Sequence, residues 1–257
     1  MSPVVGASLL IFMALATWLV TGLVVRFASR LGLVHQPNHR SSHLQRVPHG
    51  GGLGFVLTGS IAGFWFGLGG GSGSEPLQGV LACSLLLAMV GLADDIWHLP
   101  AKVRFGGQAL SLFALLWLLG ELPALGPLGG WVMLGLVFLV GLWWVNLFNF
   151  MDGIDGLAGM QALFMLVAAG CLIVWTNTSV MGSSSWWMML FIAAATAGFL
   201  LLNWPPAKVF MGDVGSLWLG FSIFALALLS IQAGWLGYGV WLILAALFVT
   251  DGTVTLL

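Results

Sequence analysis

Asp94, Asp95, Asp152, Asp155, Asp213 and Asp251 are the six aspartates of a 257-residue chain in which charge is scarce. Each stands at or near the end of an apolar run. Adjacent carboxylates such as Asp94 and Asp95 repel each other, and the pair resists full ionisation unless a cation neutralises it. At a helix C-terminus they would also oppose the macrodipole. A solvated loop start is the plain alternative, but acids at a membrane edge are functional by default. A divalent metal is the economical explanation, and a metal held there suggests a phosphate-bearing substrate.

Three more polar islands accompany that pair. Residues 35–54, HQPNHRSSHLQRVPHGGGLG, hold four His, two Arg and a Gly triplet. Arg forks suit phosphate oxygens, and glycines let backbone N–H groups approach an anion at a helix start. Arg46 and His49 are therefore candidates for contact with substrate; a basic loop flanking a membrane span is the plain alternative. In residues 146–158, Asn149, Asp152 and Asp155 recur every three positions and would share one face of a helical turn. The residues do not meet the calcium-loop pattern. Asn146 and Asn149 carry amides able to read a base edge or orient a carboxylate. In residues 203–216, Asp213 stands where an apolar run opens, a placement the helix dipole favours. Asp213, Gly215, Ser216 and Lys208 together suit a metal-chelated phosphate.

The elements that must position these groups are membrane helices. The chain is 60% hydrophobic and 6% charged, far below the roughly one quarter charged residues of a soluble domain. Its 14 Trp and 37 Gly suit packed membrane helices. A net charge of −1 gives no bulk pull on nucleic acid. Nine apolar runs are long enough to span: about 4–25, 52–69, 77–93, 104–120, 130–150, 156–176, 186–202, 214–233 and 235–250. The polar stretch Arg104–Gln108 leaves the start of the fourth open. Under strict alternation all seven Lys and Arg and all five His fall on one side, with the six Asp; Glu75 and Glu121 fall on the other. The positive-inside rule makes the Asp side cytoplasmic and puts the N-terminus outside. The first run lacks a preceding basic residue and continues to Arg26 and Arg30, as a retained helix does. Cys83 and Cys171 lie inside apolar runs and read as small buried hydrophobes. The expected fold is therefore all-α, a single transmembrane domain over 1–257.

In order, the islands read Arg46-Val-Pro48-His49-Gly50-Gly51, Asp94-Asp95, Asn149-x-x-Asp152-Gly-x-Asp155-Gly and Asn203-x-x-Pro-Ala-x-x-Phe210-Met-Gly212-Asp213-x-Gly-Ser. The series resembles the polyprenyl-phosphate N-acetylhexosamine-1-phosphate transferases, of the glycosyltransferase 4 type, over about residues 40–220. The resemblance implies transfer of a sugar 1-phosphate from a UDP-N-acetylhexosamine to undecaprenyl phosphate, with release of UMP. It implies Mg²⁺, with Mn²⁺ as the alternative, and a bacterial inner membrane with the active site on the cytoplasmic face. By analogy Asp213 is the most direct metal ligand, and Asp94 and Asp95 lie beside the metal, one of them as base or nucleophile. Asn149, Asp152 and Asp155 would hold the nucleotide, Asn203 and Phe210 would lie near uracil, and Lys102 would contact phosphate. A homodimer is compatible with this picture. The family carries a further His- and Arg-rich loop beyond the ninth span, so a C-terminal truncation is expected here.

The stretch Gln45-Arg46-Val47-Pro48-His49-Gly50-Gly51 looks more like enzymes that prime O-antigen, enterobacterial common antigen or teichoic acid than like the UDP-MurNAc-pentapeptide branch, with O-antigen initiation favoured. UDP-GlcNAc or a 6-deoxy relative is the expected donor. An ion-coupled transporter is the competing class; it would place its acids near the bilayer midplane. A membrane scaffold would give the islands no reason to converge.

Overall fold

The computed structural model describes residues 3–33, 47–68 and 74–256. Among them are nine α-helices: α1 (Pro3–Leu31), α2 (Leu53–Leu68), α3 (Ser74–Trp97), α4 (Ala101–Leu119), α5 (Gly130–Met151), α6 (Leu157–Thr176), α7 (Ser184–Asn203), α8 (Asp213–Gln232) and α9 (Tyr238–Leu256). A 3₁₀ turn, Thr178–Gly182, precedes α7. Eight of the helices are long and apolar enough to cross a membrane, and α2, with 16 residues, is the shorter one.

Each expected run corresponds to one helix. The differences fall where polar residues lie inside a helix. α1 runs on through Arg26 and Arg30, whose guanidinium groups lie 5.9 and 5.7 Å from the Phe27 ring centre. α3 carries Asp94 and Asp95 in its last turn, and α4 takes in the whole stretch Arg104–Gln108. Apolarity marks the part of a helix that lies in hydrocarbon, whereas the backbone ladder continues past it while long side chains reach water.

α8 forms the centre. Of its span, 94% is buried inside the protein, as expected for a helix that is apolar all round. α2, α3, α5, α6 and α7 pack on it, while α1 lies against α7 and α2, and α9 against α5 and α6. Small residues allow the close crossings. Gly198 of α7 lies so near the Ala14 backbone that any Cβ would collide with it, and Gly6 of α1 similarly faces the Trp187 ring. Polar side chains tie helices together within the bundle: Trp144 Nε1 donates to the Gly220 carbonyl at 2.9 Å, and Gln161 Nε2 to that of Leu244 at 2.8 Å. One expectation fails here. Cys171 is exposed and Cys83 only half-buried, both free, because an apolar position on a membrane helix can face lipid as readily as core.

Candidate active site

α8 begins at Asp213, and α3 ends beside that start. The two helices close tightly because Gly91 of α3 lies against the Asp213–Val214 backbone, where a Cβ would strike it. One turn further on, on the same face of α3, Asp95 meets the open N-terminus of α8. Its Oδ1 accepts the Asp213 N–H at 2.9 Å and its Oδ2 the Val214 N–H at 3.0 Å. A carboxylate there satisfies two of the donors that a helix start leaves unpaired, and it complements the dipole.

Asp94 turns to other partners. Its Oδ1 accepts the Leu99 N–H at 2.6 Å and its Oδ2 accepts from Arg104 Nη1 at 2.8 Å. The chain reverses between these two positions, with His98 at φ 52° and α4 starting just after Pro100. The same Arg104 nitrogen donates to Asp213 Oδ2 at 3.2 Å. The second Asp213 oxygen, Oδ1, accepts from Asn149 Nδ2 at 2.8 Å, and Asn149 also reaches Ser216 Oγ at 2.8 Å. Carboxylates from α3 and α8 thus share one cation from α4 and are braced by an amide from α5. In front of them a cavity of about 370 Å³ is lined by Lys102, Arg104, Gln108, Asn146, Asn149 and Asp213, among others. Gln108 and Asn146 pair amide to amide across the α4–α5 seam, at 2.7 and 3.3 Å.

Two loops complete this end of the bundle. Residues 48–52 run alongside 210–211: Phe210 N–H donates to the Pro48 carbonyl, Gly51 N–H to that of Phe210 and Gly52 N–H to that of Met211, at 2.8–2.9 Å. Gly52 abuts Gly215 of α8 with no room for a side chain. The glycines therefore serve close packing, and the Gly51 and Gly52 N–H groups go to carbonyls instead of cradling an anion as expected. His49 Nε2 lies 3.1 Å from the Asp95 carbonyl oxygen. Arg46 lies outside the described residues.

Asn149, Asp152 and Asp155 do not share a helical face. α5 ends at Met151, Asp152 caps it, and the chain turns through Gly156 at φ 73° before α6. The turn instead joins the loop before α8. Asp155 Oδ2 accepts the Ala207 N–H at 3.0 Å, and buried Asn203 accepts Gly156 N–H at 3.0 Å while donating to the Val209 carbonyl at 2.9 Å. Burial pushes the Asp152 carboxyl well above the ordinary carboxylate range; the charges of Asp213 and Asp95 push it further, and a hydrogen bond with the Gly212 backbone opposes them. Phe210 is half-buried on the loop beside α8, while Lys208 and Asp251 are exposed.

The structure therefore brings Asp94, Asp95, Asp213 and Asn149 together, with His49 against the Asp95 backbone and Lys102 on the cavity wall. Asp152, Asp155 and Phe210 lie in the adjoining loops, and Asn203, the last residue of α7, ties those loops together. Arg104 and Gln108 are the residues the sequence reading left without a role. Their spacing of four on α4, one face of a helix, was the available signal.

No three His, Cys, Asp or Glu among the described residues are grouped so as to cage a metal ion by themselves. Two carboxylate oxygens, from Asp94 and Asp213, do converge on one cationic atom. That donor set fits Mg²⁺, which takes one or two carboxylates and completes its shell with water and substrate phosphates.

Residues 77–231, which include Asp94, Asp95, Asn149 and Asp213, match the glycosyl transferase family 4 domain. The chain belongs to that family. It is similar to a probable undecaprenyl-phosphate N-acetylglucosaminyl 1-phosphate transferase of Bacillus subtilis, with 31% identity over 84% of this chain and 61% of the relative. It is 32% identical to the undecaprenyl-phosphate alpha-N-acetylglucosaminyl 1-phosphate transferase of Escherichia coli, over 83% of this chain and 59% of that protein. A phospho-N-acetylmuramoyl-pentapeptide-transferase of Leuconostoc citreum is 34% identical over 72% and 62%. The chain spans about three fifths of the length of these relatives.

Proposed function

We propose that this glycosyl transferase family 4 chain carries the site that moves N-acetylglucosamine 1-phosphate from UDP-N-acetylglucosamine to undecaprenyl phosphate. The reaction would run at the cytoplasmic face of a bacterial inner membrane and start a lipid-linked glycan of the O-antigen type. The observation that carries this reading is the junction of Asp94, Asp213 and Arg104 at one end of a membrane bundle, on a cavity that also holds Lys102. The names of the B. subtilis and E. coli relatives support the acceptor class and the sugar.

A terminal oxygen of the lipid phosphate forms a bond to the sugar-bearing phosphorus. The bond from that phosphorus to the bridging oxygen breaks, and UMP leaves with the electron pair. Phosphoryl transfer asks for alignment and charge neutralisation more than for covalent help. Lys102 and Arg104 supply positive charge at the cavity wall, and Asn149 fixes the Asp213 carboxylate. The acceptor phosphate loses its last proton at about pH 6 and enters as the dianion, which leaves Asp94 to hold the metal. Asp95, occupied by the first N–H groups of α8, positions Asp213. A bound Mg²⁺ or Mn²⁺, held by Asp94 and Asp213, would offset charge on the diphosphate as UMP departs. The acceptor's polyprenyl tail need not leave hydrocarbon, which accounts for a site at the membrane edge.

The L. citreum relative supports a second donor, UDP-MurNAc-pentapeptide. A panel of radiolabelled UDP-sugars incubated with membranes carrying this chain decides between them. Mg²⁺-dependent label in the lipid extract from UDP-N-acetylglucosamine is the expected result. Asp213→Asn should cut it by about a hundredfold or more while leaving membrane insertion intact. Label from none of the donors with the full-length protein would overturn the reading, and full activity in the variant would remove Asp213 from the site.

A further inference from the structure

Asp94 and Asp213 come from different helices, yet both are paired by the same atom. Arg104 Nη1 lies 2.8 Å from Asp94 Oδ2 and 3.2 Å from Asp213 Oδ2. Two carboxylate oxygens aimed at one positive centre is also what a divalent ion asks of a two-carboxylate site. Mg²⁺ needs its oxygens at about 2.0–2.1 Å, so guanidinium and metal cannot stand between these oxygens together. The guanidinium has room to leave. Its side chain is 37% exposed, and it lines the cavity of about 370 Å³ in front of the carboxylates. Nη1 makes both of the described hydrogen bonds, so the remaining N–H groups of the fork are open to a bidentate partner such as phosphate.

We propose that Arg104 is an exchangeable counter-ion. It holds Asp94 and Asp213 together in the protein without substrate, and it yields that place to a divalent cation that arrives with a nucleoside diphosphate. Its own charge then passes to the diphosphate oxygens in the cavity. The exchange is balanced: the metal takes over the two carboxylates while the guanidinium, no longer needed there, faces the two phosphates. The inference rests on the metal-dependent nucleotide reading given above, and it adds a consequence of its own. Metal and nucleotide should each bind poorly alone and well together, and Arg104 should be the cause.

The test is Mn²⁺ binding to the full chain in detergent, followed by electron paramagnetic resonance of free Mn²⁺, with and without UDP. Wild type should bind Mn²⁺ at least about tenfold more tightly when UDP is saturating, and by reciprocity UDP about tenfold more tightly with Mn²⁺. Arg104→Gln should bind Mn²⁺ without UDP about tenfold more tightly than wild type, and UDP should then add less than about threefold. Arg104→Lys keeps a cation and should return most of the coupling. A residue that merely braces the site would lose metal affinity on substitution, so equal or weaker Mn²⁺ binding by a folded Arg104→Gln protein overturns the proposal. Should that variant not fold, wild type alone still decides: Mn²⁺ and UDP that both bind, but independently, overturn the exchange. Wild type that binds Mn²⁺ neither alone nor with UDP overturns the nucleotide reading itself, which is a different result.

Discussion

Asp94 and Asp95 are neighbours in sequence but face different tasks. Asp95 grips the first two N–H groups of α8, whereas Asp94 holds Leu99 and Arg104. Asp95→Asn keeps an acceptor for one N–H but turns an NH₂ group toward the other, costing about 1–3 kcal/mol where a buried donor is left unsatisfied. Hydrogen exchange followed by mass spectrometry should then show faster exchange in the first turn of α8. Asp94→Asn should leave that turn protected; equal exchange in both variants would contradict the division. At this scale the sequence was legible in part. Asp213 could be placed at a helix start because an apolar run opens there. Arg104 could not be paired, since a basic residue at a membrane edge is already explained by topology. The shared face expected for Asn149, Asp152 and Asp155 was lost because the chain leaves the helix after Met151 and turns at Gly156, a left-handed position that glycine tolerates.

Helices position the site through contacts that leave no space for side chains. α3 meets α8 at Gly91, and the segment entering α2 meets α8 at Gly52 and Gly215. Gly91→Val forces two backbones apart at the point where Asp95 must reach α8, and overpacking of this kind costs about 1–3 kcal/mol. A lower melting temperature in detergent is expected, together with weaker metal-dependent transfer. Gly106→Ala is the control, because a Cβ at Gly106 meets nothing within 4 Å. An exposed helical Gly→Ala change adds up to about 1 kcal/mol of helix stability, so this variant should melt no lower than wild type. Identical melting of the Gly91 and Gly106 variants would show that the α3–α8 contact is not tight. The number of helices was readable from apolar runs, but the crossings were not. A glycine between apolar residues, such as Gly91, reads the same whether it faces lipid or another backbone.

Across the whole molecule, the acids of the site sit where helices begin and end. Asp94 and Asp95 close α3, Asp152 caps α5, and Asp213 opens α8. A transporter would need its ion-binding acids near the middle of the bundle to present them alternately to both sides. Acids gathered at one end suit a reaction between a soluble nucleotide and a lipid headgroup at a single surface. That surface should be cytoplasmic, since all seven Lys and Arg fall on it under strict alternation. α7 provides a ruler: exposed Thr178 lies in the turn before it and exposed Lys208 in the loop after it, separated by a 20-residue helix, about 30 Å. With Cys83→Ala and Cys171→Ala removing both native thiols, Thr178→Cys should react with an impermeant maleimide on intact cells. Lys208→Cys should react only once the membrane is opened. The reverse pattern would place the site outside, away from cytoplasmic UDP-sugar, and would defeat the proposed reaction even if every residue in the site were correctly assigned.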